Sequence, residues 1–346
     1  MARPRWQRLT IKTLKWVLTL VVLGAVIRHV LRTYRDLRDQ SLSIHFDPAW
    51  LVGAGVLYLA GLTACGVFFE QILDASPSPV PLLPALRAYL VSHLGKYVPG
   101  KAMVVVVRVG LLFPFGARAS TAAIATFYET LVMMASGGLI AAAGFARATG
   151  SSRIRFMIPF GGPVELRGYT LAAESGLALG LAFLVLAVPN VFGRLAGLVS
   201  LPIRGVGPEA MPRFTGRLLV QGLILSSCGW FLLGLSQLAV FCAFSPAGRH
   251  VALAMAHAPV MIASVALATV VGFAVAVLPG GLGVREGVLM SALAPAIGAD
   301  QAVIASLTLR LVWVAAELVA AALVYPWFRR PRAEIAHSPQ TSAENA

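Results

Sequence analysis

Residues 301–327 read QAVIASLTLRLVWVAAELVAAALVYPW, and only two charged side chains, Arg310 and Glu317, interrupt the apolar run. As a helix rising about 1.5 Å per residue, this stretch is about 40 Å long, enough to cross a hydrocarbon layer about 30 Å thick. Its apolar residues fall on every helical face. A surface helix of a soluble protein keeps one face polar, whereas a membrane helix has no need to. Working outward, runs of the same character occupy 48–73, 119–145, 170–189, 217–244 and 252–278. A shorter one, Trp16 to Ile27, follows a basic start (Arg3, Arg5, Arg8, Lys12, Lys15) and lacks a small-residue cleavage site, so it reads as a retained anchor. These segments predict seven crossings.

The composition agrees. Of 346 residues, 58% are hydrophobic and 12% charged, against about 25% charged in soluble domains. The net charge of +14 would suit a polyanion, but its placement argues otherwise. Arg28, Arg32, Arg118, Arg147, Arg194, Arg217, Arg329 and Arg330 sit at the ends of apolar runs, as topology signals do. Nucleic acid is therefore not an expected partner. Basic residues at both ends predict cytoplasmic termini in a cell (inner) membrane, which requires an even number of crossings. Cys65, Cys228 and Cys242 have no metal-ligand spacing, the six histidines are scattered, and neither metal nor cofactor is expected.

Two apolar segments are broken. Residues 82–112 are interrupted by Pro99-Gly100, and residues 279–298 open with Pro279-Gly280-Gly281 before a helix too short to cross alone. Proline removes a backbone donor and glycine loosens the helix. At membrane depth such backbone needs protein or a water-filled cavity to satisfy it. Paired broken helices in corresponding halves are a sequence pointer to a transporter's binding site. One broken element crossing and the other re-entering, or a miscounted helix, reconciles the parity and gives about eight. The expected fold class is all-α, a polytopic membrane helix bundle of about eight transmembrane helices with two Pro/Gly-broken elements. Its expected organisation is a basic N-terminus with the anchor (1–47), a transmembrane domain (48–328) and a polar tail (329–346).

The first broken element reads Gly95-Lys96-Tyr97-Val98-Pro99-Gly100-Lys101. The second reads Pro279-Gly280-Gly281-Leu282-Gly283-Val284-Arg285-Glu286-Gly287. In this order and separation the pair resembles the lysylphosphatidylglycerol synthase transmembrane (flippase-like) family, which includes the flippase half of multiple-peptide-resistance proteins and hopanoid-associated membrane proteins. The resemblance runs over roughly residues 50–327, through Ala294-Pro295, Leu309-Arg310-Leu311 and Glu317-Leu318, with Trp230 inside its own helix. It implies a lipid-translocating bundle. One departure is Glu129-Thr130, where the family tends to have Glu-Arg. The soluble aminoacyl-transferase domain of the lipid synthases is not present in these residues, so lysine transfer is not expected.

The candidate lipid-binding residues are Lys96, Tyr97, Pro99, Gly100, Lys101, Arg108, Glu129, Trp230, Pro279, Gly280, Gly281, Gly283, Arg285, Glu286, Arg310 and Glu317. Freed backbone N–H groups beside a cation suit a phosphate head group. Charges inside a membrane cost about 2.5–3.5 kcal/mol each near a helix centre, so each needs a reason. Arg310, Trp313 and Glu317 share one stripe, read either as a polar cavity wall, with the acid orienting the arginine, or as an interhelical salt bridge. Glu129 carries the same two readings. For Trp230 core packing outweighs ligand stacking, and Arg285 and Glu286 are adjacent enough to pair locally. The expected function is a non-enzymatic membrane protein that moves or accommodates an anionic phospholipid or a polyprenyl- or hopanoid-type lipid. Its alternatives are a membrane-embedded lipid transferase and an accessory subunit of a lipid-synthesis enzyme. Expected partners are membrane lipid, a lipid-biosynthesis enzyme and further copies of the chain.

Overall fold

The computed structural model describes residues 28, 46–97, 102–148, 153–158, 162–200, 211–244, 249–275 and 284–327. The N-terminal anchor, Pro99-Gly100-Lys101 and Pro279-Gly280-Gly281 with Gly283 lie outside them.

Five helices among the described residues are long and apolar enough to cross a membrane. They are α1 (Pro48–Asp74), α4 (Ala119–Ala146), α5 (Gly168–Ala187), α7 (Gly216–Cys242) and α11 (Ala299–Trp327). Their ends fall within about two residues of the apolar runs, because the residues that stop the runs also cap the helices. Asp47 accepts a hydrogen bond from the Ala49 N–H at 2.9 Å with Pro48 at the first turn, and Thr215 accepts from Leu218 N–H at 3.2 Å. Large apolar side chains on these helices face outward, among them Val56, Phe127, Leu181, Ile224 and Leu323. In water that surface would be a liability, but in lipid it is the ordinary exterior. The chain is a helical, multi-pass membrane protein.

The shorter elements are α2 (Leu82–Ser92), a 3₁₀ segment His93–Tyr97, α3 (Ala102–Leu112), α6 (Pro189–Ser200), α8 (Arg249–Ala256), α9 (Ala258–Ala274) and α10 (Val284–Ile297). The apolar run expected as one helix over 252–278 is corrected: its described residues belong to two helices, parted at His257 with Pro259 in the first turn of α9. The polar stretch before α5 contains an antiparallel hairpin, β1 (Arg153–Ile158) with β2 (Gly162–Arg167), in register from Arg153–Arg167 to Ile158–Gly162.

Packing joins α4 to α5, α1 to α7, and α9 to α4, α7 and α10, while α11 lies against α1, α2 and α10. Small residues set how closely these helices approach, as in membrane bundles generally. A Cβ on Gly138 of α4 would stand 2.5 Å from the Gly180 Cα of α5, so this pair meets backbone to backbone. Between α10 and α11 the chain turns at Gly298 with φ +88°, and Gly298 N–H donates back to the Ala294 carbonyl at 2.9 Å. That left-handed conformation favours glycine over any residue with a side chain. The two helices thus form a hairpin, with the start of α10 beside the middle of α11.

Candidate functional site

Described residues of the two broken motifs meet at one cleft. Lys96 and Tyr97 come from the 3₁₀ segment, Arg285, Glu286 and Leu289 from α10, and Ser306, Leu309, Arg310 and Trp313 from α11. It encloses about 440 Å³ of space, its open mouth included. The placement follows from local geometry. Glu286 and Arg310 each stand twelve residues from Gly298, so an antiparallel helical hairpin sets them side by side, and they form an ion pair. The 3₁₀ segment is held against α3, where a Cβ on Gly95 would come within 2.8 Å of the Val104 nitrogen. This close seat fixes where Lys96 emerges.

Lys96 pairs with Glu317 across the gap between the 3₁₀ segment and α11. The carboxylate is wholly buried, whereas the lysine side chain keeps 26% of its surface. Tyr58 of α1 donates to the same Glu317 oxygen and accepts from Lys96 Nζ at 3.2 Å. The other carboxylate oxygen, Oε2, is buried with no hydrogen bond among the described residues. Trp313 holds the cleft's aromatic wall. Its ring stacks on Tyr58 with centroids 4.3 Å apart and planes 13° from parallel. Its N–H donates to Ser236 Oγ at 3.0 Å, and Ser236 donates to the Ala54 carbonyl at 2.8 Å. The Arg285 guanidinium lies 4.7 Å from the Trp313 ring centroid, a cation–π contact. Among the described residues it pairs with no carboxylate.

Two expectations about pairing change here. Arg285 and Glu286 do not pair locally: successive helical residues point about 100° apart, and Glu286 reaches across the hairpin to Arg310. Glu317 does not orient Arg310, because two helical turns separate them; it holds Lys96. The carboxylates are real partners of cations, but of different cations from those the stripe suggested.

Three expected site residues are elsewhere. Arg108 of α3 and Glu129 of α4 form a separate centre, with Arg108 Nη1 to Glu129 Oε2 at 3.3 Å. Arg108 Nε also donates to Ser92 Oγ at 3.1 Å, and Tyr89 donates to Glu129 Oε1 at 2.9 Å. Rings close over the guanidinium, Tyr89 at 4.4 Å and Phe69 at 4.5 Å. Trp230 is fully buried, its N–H donating to the Met133 carbonyl at 2.9 Å and its ring covering Gly137. It is a packing residue. Pro99, Gly100, Lys101, Pro279, Gly280, Gly281 and Gly283 lie outside the described residues.

Tyr58, Ser236, Leu289 and Ser306 were not singled out in the sequence. Tyr58 carried a signal: a phenol in an apolar helix must find a polar partner, so it marks a polar neighbour. Among the described residues, no group of three or more His, Cys, Asp or Glu side chains is arranged to hold a metal ion. Compared with known proteins, the chain matches no family model and no curated sequence.

Proposed function

We propose that this chain translocates or accommodates an anionic lipid, whose phosphate group binds in the cleft between the 3₁₀ segment, α10 and α11. The observation that carries the reading is Arg285: a cation on an aromatic ring, beside two ion pairs, in a cleft the outside can reach. A head group crossing hydrocarbon needs somewhere polar to exchange its water, and an arginine fork fits a phosphate's oxygens. Motifs of this kind in both halves, and their likeness to the flippase-like family, support transport over catalysis. The chain acts without covalent chemistry, in a cell membrane with both termini cytoplasmic. Reporter tags at either end then read out in the cytoplasm.

The test is a proteoliposome assay with a fluorescent anionic phospholipid. Arg285→Ala slows translocation at least about tenfold, with insertion and thermal stability kept. An unchanged rate with the folded variant refutes the reading.

A further inference from the structure

Contacts fix the level of each helix along α1, whose two ends mark an Asp47 face and an Asp74 face. α7 and α4 run against α1. Asp47 N–H donates to the Ala243 carbonyl just past α7, while a Cβ on Gly222, near the start of α7, would strike the Phe68 ring. Tyr128 of α4 lies by that same ring, with centroids 6.2 Å apart, and Met133 accepts from Trp230, next to the contact of Gly229 with Gly61. α11 runs with α1: Gly55 faces Val312 and Ala316, and Arg87 donates to the Tyr325 carbonyl at 3.0 Å. The first broken element starts at the Asp74 face, where a Cβ on Gly66 would touch Leu86 and Tyr89. It climbs until Lys96 meets Tyr58, then turns back, since Gly95 meets Val104 and Ser92 accepts from Arg108. The second starts at the Asp47 face, where a Cβ on Gly144, near the end of α4, would stand 2.7 Å from the Pro259 carbonyl oxygen. It returns there too, because α10 runs against α11, with Arg285 on Trp313 and Glu286 on Arg310.

We infer that neither broken element crosses the membrane: both are re-entrant hairpins, they enter from opposite faces, and each bars the cleft from the face by which it enters. Their lengths agree. With 11 residues in α2 and 14 in α10, the arms rise about 16 and 21 Å, short of a hydrocarbon layer about 30 Å thick. The five described spans and the run from Trp16 to Ile27, read from the sequence as an anchor, then make the even number that two basic ends require. Each hairpin is fastened to α11 by one ion pair, and the pairs lie on either side of Trp313. Glu317 is seven residues beyond Arg310 and so about 10 Å nearer the Asp74 face. Lys96 fastens the hairpin of that face, and Glu286 fastens the opposite one. Lys96, Glu286 and Arg310 all keep some exposed surface, so water can take the place of a parted partner. Opening one clasp frees the route to one face while the other hairpin stays seated on α11. The gating half of this rests on the lipid-binding reading above; the re-entrant half does not.

The experiment labels single cysteines in the full chain with a membrane-impermeant maleimide, in intact cells and in inside-out vesicles. Cys228→Ala removes the exposed native thiol, and Cys65 and Cys242 are buried. Ser78→Cys and Ala119→Cys flank the first hairpin, and Ala256→Cys and Ala299→Cys the second. The first two are expected to label from the cytoplasm alone and the last two from outside alone. Members of either pair labelling from opposite faces would show that their element crosses, and would overturn the inference. The clasps are read at Leu309→Cys, a buried position on the cleft wall. Adding Glu317→Gln should raise its labelling about fivefold from the cytoplasm only, and Arg310→Gln about fivefold from outside only. Glu286→Gln opens the second clasp from its other partner and should act as Arg310→Gln does, so the result does not hang on one variant's folding. Labelling raised from both faces at once, or from neither, overturns the gating half. One-sided labelling in a protein that moves no anionic lipid leaves the hairpins standing and refutes the proposed function instead.

Discussion

The molecule holds two buried polar centres, and they differ in how completely they are closed. At Arg108–Glu129 both side chains are almost sealed, at 2% and 4% of their surface, and two rings cover the guanidinium. Ser92 and Tyr89 take up further hydrogen bonds, and the charges cancel. At the cleft the cations are reachable, and among the described residues one carboxylate oxygen of Glu317 is without a partner and Arg285 pairs with no carboxylate. The first centre has nothing left to offer a ligand; it ties α2, α3 and α4 together. The second is open to the outside, and under the proposed function an anion would complete it. Intramembrane charge therefore does not by itself mark a binding site. Saturation and access decide between a rivet and a site.

That comparison is broken most severely by removing one member of the closed pair. Arg108→Met leaves the Glu129 carboxylate buried and uncompensated, and is expected to cost about 3–5 kcal/mol. Thermal unfolding in detergent and yield in the membrane check this. Stability near that of the unaltered protein would mean water reaches Glu129 and the centre is not closed. Glu317→Gln sharpens the contrast. The amide keeps the shape and still bonds Tyr58, and Lys96 can reach solvent, so the loss is about 1–2 kcal/mol. Transport should fall far more than stability does. Equal falls in both would make Lys96–Glu317 a second rivet.

A smaller effect tests the hairpin that builds the cleft. Gly298→Ala places a side chain in the left-handed region and is expected to cost about 1–2 kcal/mol, with a lowered affinity for phosphatidylglycerol as Glu286 and Arg310 shift. No change in either measurement would show that the turn does not set the register. Least of all, Tyr58→Phe keeps the stack on Trp313 and removes one hydroxyl from Glu317, at about 1 kcal/mol. A loss as large as that of Arg108→Met would place Tyr58 among the structural residues.

Much of the fold could be read from the chain. Runs of apolar residues bounded by Asp47-Pro48, Arg118 or Thr215 gave helices with nearly those ends, because solvent and caps are local causes. The division at His257 was missed since Ala, Val and Leu continue on both sides of Pro259 and hide the break. The site was legible in part. Lys96, Arg285 and Glu286 were singled out on the broken motifs, Arg310 and Glu317 as charges in an apolar helix, and they gather in the cleft or bond to it. Who pairs with whom was not legible. Glu286 and Arg310 are equidistant from Gly298, a relation that appears only once the turn is known. Lys96 and Glu317 are 221 residues apart, and no spacing rule connects them. Arg108 and Glu129 shared the surface signs of the site residues, and only burial separates them.

Trp313 has one more consequence, and it is optical. An indole's emission follows the electric field across its ring, and here that field is set by a guanidinium 4.7 Å away and by an N–H anchored through Ser236 to the backbone of α1. Any anion that draws Arg285 off the ring alters the field while the anchor keeps the indole still. An anion bound there would thus shift the emission of Trp313 from within, read against the chain's five other tryptophans.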